Sequence, residues 1–297
     1  MSLARVAALT TLCMVAFASN SVLARVALKQ TGIDAASFTA IRLISGAVVL
    51  LLVVRSANRT SGQRGSWWSG AALFAYAASF SFAYVSLPTA TGALLLFGAV
   101  QVTMIVYGLW VGERLVKLQL AGLLLAFGGL GLLFLPGLSI RPPLASSLLM
   151  LGAGVCWGIY SLRGKGVGDP LRITAGNFAR AAAFTVVLSI LLLNRLSLDI
   201  AGVSYAVVSG GLTSGLGYVI WYTAMPALKA TSAAIVQLSV PVIAAVGGIV
   251  FLGESITFRL VLASSAILGG IALVIVRKQL VPVARQDAAA DVDARLD

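Results

Sequence analysis

Apolar runs close to 20 residues long recur from one end of the chain to the other, separated by short polar connectors. At about 1.5 Å of rise per residue, a helical run of that length crosses the ~30 Å hydrocarbon core of a bilayer. The pattern predicts ten membrane helices, at 4–25, 35–54, 67–87, 89–111, 117–136, 144–163, 171–193, 203–225, 230–252 and 257–276. Loops at membrane depth leave backbone groups unpaired, so connectors such as RSANRTSGQRG (55–65) and RGKGVGDPLR (163–172) belong at the surfaces. The first segment also has a basic start and the run Ala16-Phe17-Ala18, which resembles a signal-peptidase site. It has a counterpart in the second half of the chain, and on that ground it is read as an uncleaved first helix.

Composition sharpens this picture. Hydrophobic residues make up 60% of the chain and charged residues 10%, against roughly 25% charged in soluble domains. Histidine is absent. The nine acidic residues are Asp34, Glu113, Asp169, Asp199, Glu254 and four in the tail, and none falls at the centre of a predicted span. A membrane enzyme needs a nucleophile–base set or metal ligands at depth, so neither enzymatic activity nor a cofactor is expected. Nothing resembles a channel selectivity filter. Cys13 and Cys156 lie inside apolar runs and read as small buried hydrophobes. The net charge of +12 does not point to nucleic acid, because the basic residues fall in separate short loops.

Those loops set an orientation. If both termini are cytoplasmic, the inner segments hold 14 of the 21 basic residues and the outer segments 5, namely Arg25, Lys29, Arg141, Arg195 and Arg259. Arg42 and Arg180 remain inside spans. The asymmetry satisfies the positive-inside rule.

The chain is also internally repeated. Gly112-Glu113 lies over Gly253-Glu254 at a spacing of 141 residues, and AVQVTMIVYGLWVGE (99–113) over VPVIAAVGGIVFLGE (240–254). YVSLP (84–88) lies over YTAMP (222–226), Arg42 over Arg180, FASNSVLAR (17–25) over WGIYSLRGK (157–165), and Gly128-Gly129 over Gly269-Gly270. The halves are 1–140 and 141–278, followed by a cytoplasmic tail, 279–297. Five helices is an odd number, so the second half enters the membrane upside down. Inverted repeats of this kind are a transporter architecture, with substrate held near the midplane where the repeats meet. The fold class read from sequence is therefore an all-α integral membrane protein of ten helices, two inverted five-helix repeats around a central cavity.

On these residues the chain resembles the drug/metabolite transporter superfamily, EamA type, and within it the YddG-type amino-acid exporters. The similarity covers about residues 4–278. It implies a basket in which helices 1–4 and 6–9 surround the cavity while helices 5 and 10 pack outside. It also implies export of amino acids or similar small metabolites across the bacterial inner membrane by alternating access. Small multidrug-resistance relatives use a glutamate in helix 1, where this chain has Ser19 and Asn20, which do not titrate near neutral pH. A facilitator or exchanger is expected rather than strong proton coupling. The alternative cargo is a drug-like lipophilic compound, which a carboxylate in the cavity would favour.

A pocket for an amino acid needs aromatic walls and a few neutral polar groups. The repeat-matched middles of the helices offer Phe17, Ser19 and Asn20; Tyr76, Phe80 and Tyr84; Phe97 and Gln101; Trp157 and Tyr160; Tyr218 and Tyr222; and Gln237 and Ser239. For any one aromatic the competing reading is ordinary helix packing, and for the glutamines interhelical hydrogen bonding. The resemblance carries a pocket role onto Phe97, Trp157 and Gln237, while Phe17 stands where the family often has Trp. Arg42 and Arg180 are read either as snorkelling to the nearer interface or as gate residues paired across the repeats, Arg42 with Glu254 and Arg180 with Glu113. Glu113 has a competing partner in Lys117, one turn on. Pro241, in the predicted middle of helix 9, is a static kink or a bending point. The small residues of helices 5 and 10, in AGLLLAFGGLG (121–131) and ASSAILGGI (263–271), suit close packing and a contact between protomers in a homodimer. Lipid and a small-molecule substrate are the other expected partners.

Overall fold

The protein is described here by a computed structural model covering residues 1–57, 65–112, 117–135, 142–164, 168–228 and 236–278, with side chains to 275. Every regular element among the described residues is helical. The helices are α1 Leu3–Gln30, α2 Ala35–Ser56, α3 Trp67–Tyr84, α4 Thr89–Trp110, α5 Lys117–Phe134, α6 Leu144–Arg163 and α7 Pro170–Leu191. There follow α8 Ile200–Ala227, α9 Ser239–Leu252 and α10 Phe258–Lys278. Eight are long and apolar enough to cross a membrane; α3, rich in Ser, Trp and Tyr, and the 14-residue α9 complete the set. Large apolar side chains such as Leu52, Leu124, Ile190 and Val250 are exposed on the outer surface, where hydrocarbon rather than water is the suitable solvent. The protein is a multi-span membrane protein.

Five of the helices, α1, α2, α3, α7 and α8, start where the sequence supplies a side-chain cap. Asp34 and Asp169 accept hydrogen bonds from the first N–H groups of α2 and α7, and Asp199 does so for α8. Asp34 also ties two connectors together. Its carboxylate accepts the Ser197 N–H at 2.9 Å while its own N–H donates to the Ser197 carbonyl at 3.0 Å. Partial burial pushes the Asp34 carboxyl up, but the N–H and hydroxyl donors from Ser197, Ser37 and Ala36 outweigh it and hold it below the usual range.

The Gly-Glu pairs have a conformational cause. Gly112 has φ +93° and Gly253 φ +63°. A left-handed residue stops a helix, and only glycine adopts that conformation without steric cost. After Gly253, the Glu254 N–H turns back to the Gly248 carbonyl at 3.1 Å. Glu113 lies outside the described residues.

Three features depart from the sequence reading. Helix α1 continues to Gln30, so Arg25 lies within it and is 7% exposed, not in an outer connector. Pro241 is in the first turn of α9, whose preceding residue Leu238 is a turn. A proline there removes no bond that α9 would make, because first-turn N–H groups have no intrahelical partner. The interruption falls one turn earlier, where the Pro241 ring would meet the Gln237 carbonyl of a continuous helix. Third, the middle of α8, Val208–Leu216, is π-helical.

Packing follows a regular scheme. Helix α2 lies on α7 and α8, α3 on α6 and α7, α4 on α6 and α9, α1 on α8 and α9, and α5 on α10. Exchanging each helix with the one five places on maps α3–α6 onto α8–α1, α4–α6 onto α9–α1, and α2–α8 onto α7–α3. The glycines mark the closest approaches. A Cβ on Gly122 would stand 2.6 Å from the Gly270 carbonyl, and one on Gly129 would stand 2.8 Å from Ala266 Cβ. These small residues are therefore used between α5 and α10 of one chain, while Gly128, Gly131 and Gly269 face open space.

Candidate functional site

Seven helices contribute to one cavity at the centre of the bundle. It is lined by Phe17, Asn20 and Ser21 of α1, Arg42 of α2, Tyr76 and Phe80 of α3, and Leu96 and Phe97 of α4, with Trp157 of α6, Phe178 of α7, and Ser214 and Tyr218 of α8. The rings hold each other. Trp157 stacks on Tyr76 with centroids 5.8 Å apart, and makes T-shaped contacts with Phe97 and Phe17 at 5.3 and 6.4 Å. Its indole N–H donates to the Tyr218 hydroxyl at 3.2 Å. Such edge and offset contacts add to simple burial and fix ring orientation. The space open to water at the centre is about 20 Å³, room for one molecule. Pockets that enclose a small ligand run to roughly 300 Å³ and more. A solute enters only if these rings turn or the helices part.

The polar floor of the cavity is set by α8. A π-helix brings residues four and five apart onto one face, and so aligns Ser209, Thr213 and Ser214. All three hydroxyls donate to Asn20 Oδ1, at 2.8, 2.6 and 3.2 Å. The glycines of this segment allow close contact with α2. A Cβ on Gly210 would overlap the Arg42 carbonyl, and one on the facing Gly46 of α2 would stand 3.0 Å from the Gly210 carbonyl.

Arg42, 3% exposed, enters the cavity from α2. Its Nη2 donates to the Tyr76 hydroxyl at 3.0 Å, and its guanidinium lies over the Phe80 ring at 4.6 Å. It does not pair with Glu254. That carboxylate is 3.4 Å from Arg25 Nε and accepts the Thr89 N–H at 2.8 Å, at the start of α4. Arg25 Nη1 donates to the Tyr84 and Val85 carbonyls at the end of α3, at 2.9 and 2.8 Å. The predicted pair thus has the right acid and the wrong arginine. Arg25 reaches Glu254 because α1 packs on α9 and runs past the expected end of the span. Gly248 makes room, since a Cβ there would stand 2.6 Å from Glu254 Oε2. Arg259, also placed in an outer connector by sequence, is 3% exposed and donates to the Leu133 and Leu135 carbonyls at the end of α5.

The remaining predicted residues fall outside the cavity lining. Tyr84 is fully buried below Phe80, its ring edge-on at 4.7 Å, and its hydroxyl donates to the Thr89 carbonyl. Tyr160 and Tyr222 meet at the Thr174 hydroxyl, at 3.5 and 2.9 Å. Ser19 turns its hydroxyl to the Val15 carbonyl, and Ser239 to the Val236 carbonyl. Gln101 is buried and Gln237 half-buried at the α9 break. Arg180 is half-buried, donates to the Gly176 carbonyl, and lies 5.7 Å from the centre of the Trp67 ring. Glu113, its predicted partner, is outside the described residues. Pro241 lines a second, apolar groove between α9 and α10. Ser21, Leu96, Phe178 and Ser214 are cavity residues that sequence reasoning missed.

Residues 144–276 match the family model of the EamA-like transporter family. Along most of its length the chain is similar to "Uncharacterized protein PA1977" of Pseudomonas aeruginosa, at 56% identity over 90% of this chain and 93% of that one. An "Uncharacterized transporter" of Archaeoglobus fulgidus is 24% identical over 89% and 95% of the two chains. "Threonine/homoserine exporter RhtA" of Salmonella typhimurium is 30% identical over 131 residues, 42% of this chain and 43% of that one. A solved crystal structure with 19% identity superposes with a TM-score of 0.65 over 94% of this chain and 99% of its own, which shows the fold. With a cavity built from seven helices of one membrane bundle and a family model that matches its second half, the chain belongs to the EamA-like transporter family of the drug/metabolite transporter superfamily.

Proposed function

We propose that this membrane transporter exports amino acids or similar small metabolites by alternating access, as a facilitator or exchanger. The observation that carries this reading is the aromatic cavity shared by α1–α4 and α6–α8, whose free space is now smaller than any such solute. Its neutral donors and ring faces suit a solute with one compact polar end and an apolar body. The similarity to a threonine/homoserine exporter supports amino acids as the class. Among the described residues no acidic side chain lines the cavity, which supports a carrier without strong proton coupling and disfavours lipophilic cations.

The helix contacts that map onto each other when α1–α5 are exchanged with α6–α10 support the inverted repeat. With two similar halves, the inward- and outward-open states lie close in energy. In this reading the Arg25–Glu254 pair locks the end of the cavity where α1, α3 and α9 finish. That end is outer, and both termini are cytoplasmic, by the distribution of basic residues. Counterflow in proteoliposomes tests the proposal. Vesicles preloaded with unlabelled threonine, homoserine or phenylalanine accumulate the labelled compound transiently, without an ion gradient. Accumulation only when a pH gradient is imposed refutes the facilitator, and no movement of any amino acid refutes the cargo.

A further inference from the structure

We propose that Arg42 is the substrate anchor, and that the cavity selects molecules carrying a carboxylate, docked on Arg42 Nη1 with the apolar part against Phe17, Phe97 and Trp157. This rests on the transporter reading above and names the chemistry its substrate must have.

Arg42 carries an unbalanced charge. It is 3% exposed and, among the described residues, makes no ion pair with an acidic side chain. Its Nη2 is used by the Tyr76 hydroxyl, but Nη1 is buried without a hydrogen-bond partner. A buried charge is costly unless paired and hydrogen-bonded. Ring faces above Phe80 and Tyr76 offset part of that cost but supply no acceptor to Nη1. Other buried arginines also keep a nitrogen without a hydrogen-bond partner, Nε of Arg25 and of Arg259 and Nη1 of Arg172, but among the described residues none of these three lines the cavity. Arg25 has Glu254 and two carbonyls, and Arg259 has two carbonyls.

Among the described residues Arg42 is the one charged residue that lines the cavity. Its position is fixed by the backbone, because α2 is pressed onto Gly210 of α8 at the Arg42 carbonyl itself. Tyr76 then fixes the plane of the guanidinium. A pre-oriented, partly used guanidinium facing an otherwise neutral cavity matches a planar anionic group, and carboxylate is the form that an amino acid brings. The residues opposite, Asn20, Ser21 and Ser214, provide neutral polar atoms but no negative charge for an ammonium. Hence the carboxylate is required and the amine is not. This replaces the gate role that sequence suggested for Arg42.

The test uses full-length protein in liposomes and detergent, with four probes of one shape: phenylalanine, 3-phenylpropionate, phenylalaninamide and phenethylamine. Counterflow and ligand-induced thermal stabilisation are both read. The expected result is that the first two compete and stabilise while the last two do neither. Arg42→Met, checked by monodisperse elution, raises the half-saturating concentration of the carboxylates roughly 10- to 100-fold, the loss of one charge-assisted hydrogen bond; Arg42→Lys recovers part of it. If the amide or amine acts as well as the acid, or if Arg42→Met keeps the preference, the anchor is wrong even where transport continues. If carboxylates stabilise the protein through Arg42 but are not moved, the anchor stands and the export reading falls. If they neither bind nor move, both fall. The probe panel on the unmodified protein decides the matter even if the variants fail to fold.

Discussion

The Arg25–Glu254 contact allows the sharpest energetic prediction. Both side chains are largely buried, at 8% and 13% exposure, and the ion pair is 3.4 Å long. Each partner also serves a helix end. Glu254 accepts the Thr89 N–H in the first turn of α4, where Pro88 provides no side-chain cap, and Arg25 donates to the last carbonyls of α3. Removing one side of a buried pair costs about 3–5 kcal/mol, because the other charge is stranded. In Glu254→Ala, Arg25 keeps its two carbonyls, which puts the ion-pair loss near 3 kcal/mol; the lost cap adds about 1 kcal/mol. Arg25→Met strands Glu254, which keeps the Thr89 N–H and the positive end of α4, so about 2–3 kcal/mol is expected. The double variant strands no charge, although it gives up the Thr89 N–H cap and the bonds to the Tyr84 and Val85 carbonyls, and it should be no less stable than the worse single. Unfolding in detergent titrated with SDS measures all four proteins, and the coupling energy should be about 1.5–3 kcal/mol. Two additive single losses, with coupling below about 0.5 kcal/mol, would show that the pair is incidental to the fold and would remove it as a lock.

Three further outcomes follow from single features. Gly253→Ala should destabilise by about 1–2 kcal/mol, measured in the same titration, because φ +63° puts its Cβ against the backbone, and Gly253→Asn should cost less. Asp34 has its carboxyl lowered in the folded protein, so its contribution is present at neutral pH and is lost as pH falls below the ordinary value of 3.8; Asp34→Asn should flatten that acid-side loss in a pH series of thermal midpoints. Asn20→Leu strands the Ser209 and Ser214 hydroxyls, while Thr213 keeps the Ser209 carbonyl, and should destabilise by about 1–3 kcal/mol, whereas Ser19→Ala, whose hydroxyl only returns to its own helix, should be near neutral.

The amino-acid sequence by itself determined the elements and many of their ends. Run lengths set the helices, Asp34 and Asp169 set helix starts, and the two left-handed glycines set the stops after α4 and α9. It also marked nine rings, Phe17, Tyr76, Phe80, Tyr84, Phe97, Trp157, Tyr160, Tyr218 and Tyr222, of which Phe17, Tyr76, Phe80, Phe97, Trp157 and Tyr218 share one cavity. Only tertiary structure decided that Glu254 meets Arg25 instead of Arg42, that Phe178 and Ser214 face the cavity, and that Tyr160, Tyr222 and Ser19 do not. The reason is the solvent. In water a helix advertises its buried face by a polar opposite face, but lipid tails are as apolar as a protein core. Helices that are apolar all round carry no such contrast, so the rotation of each about its axis is left to contacts between helices. The π segment of α8 shows the same limit: its wider turn, set by packing on α1 and α2, changes which residues share a face, and no local pattern in VSGGLTSGL announces it.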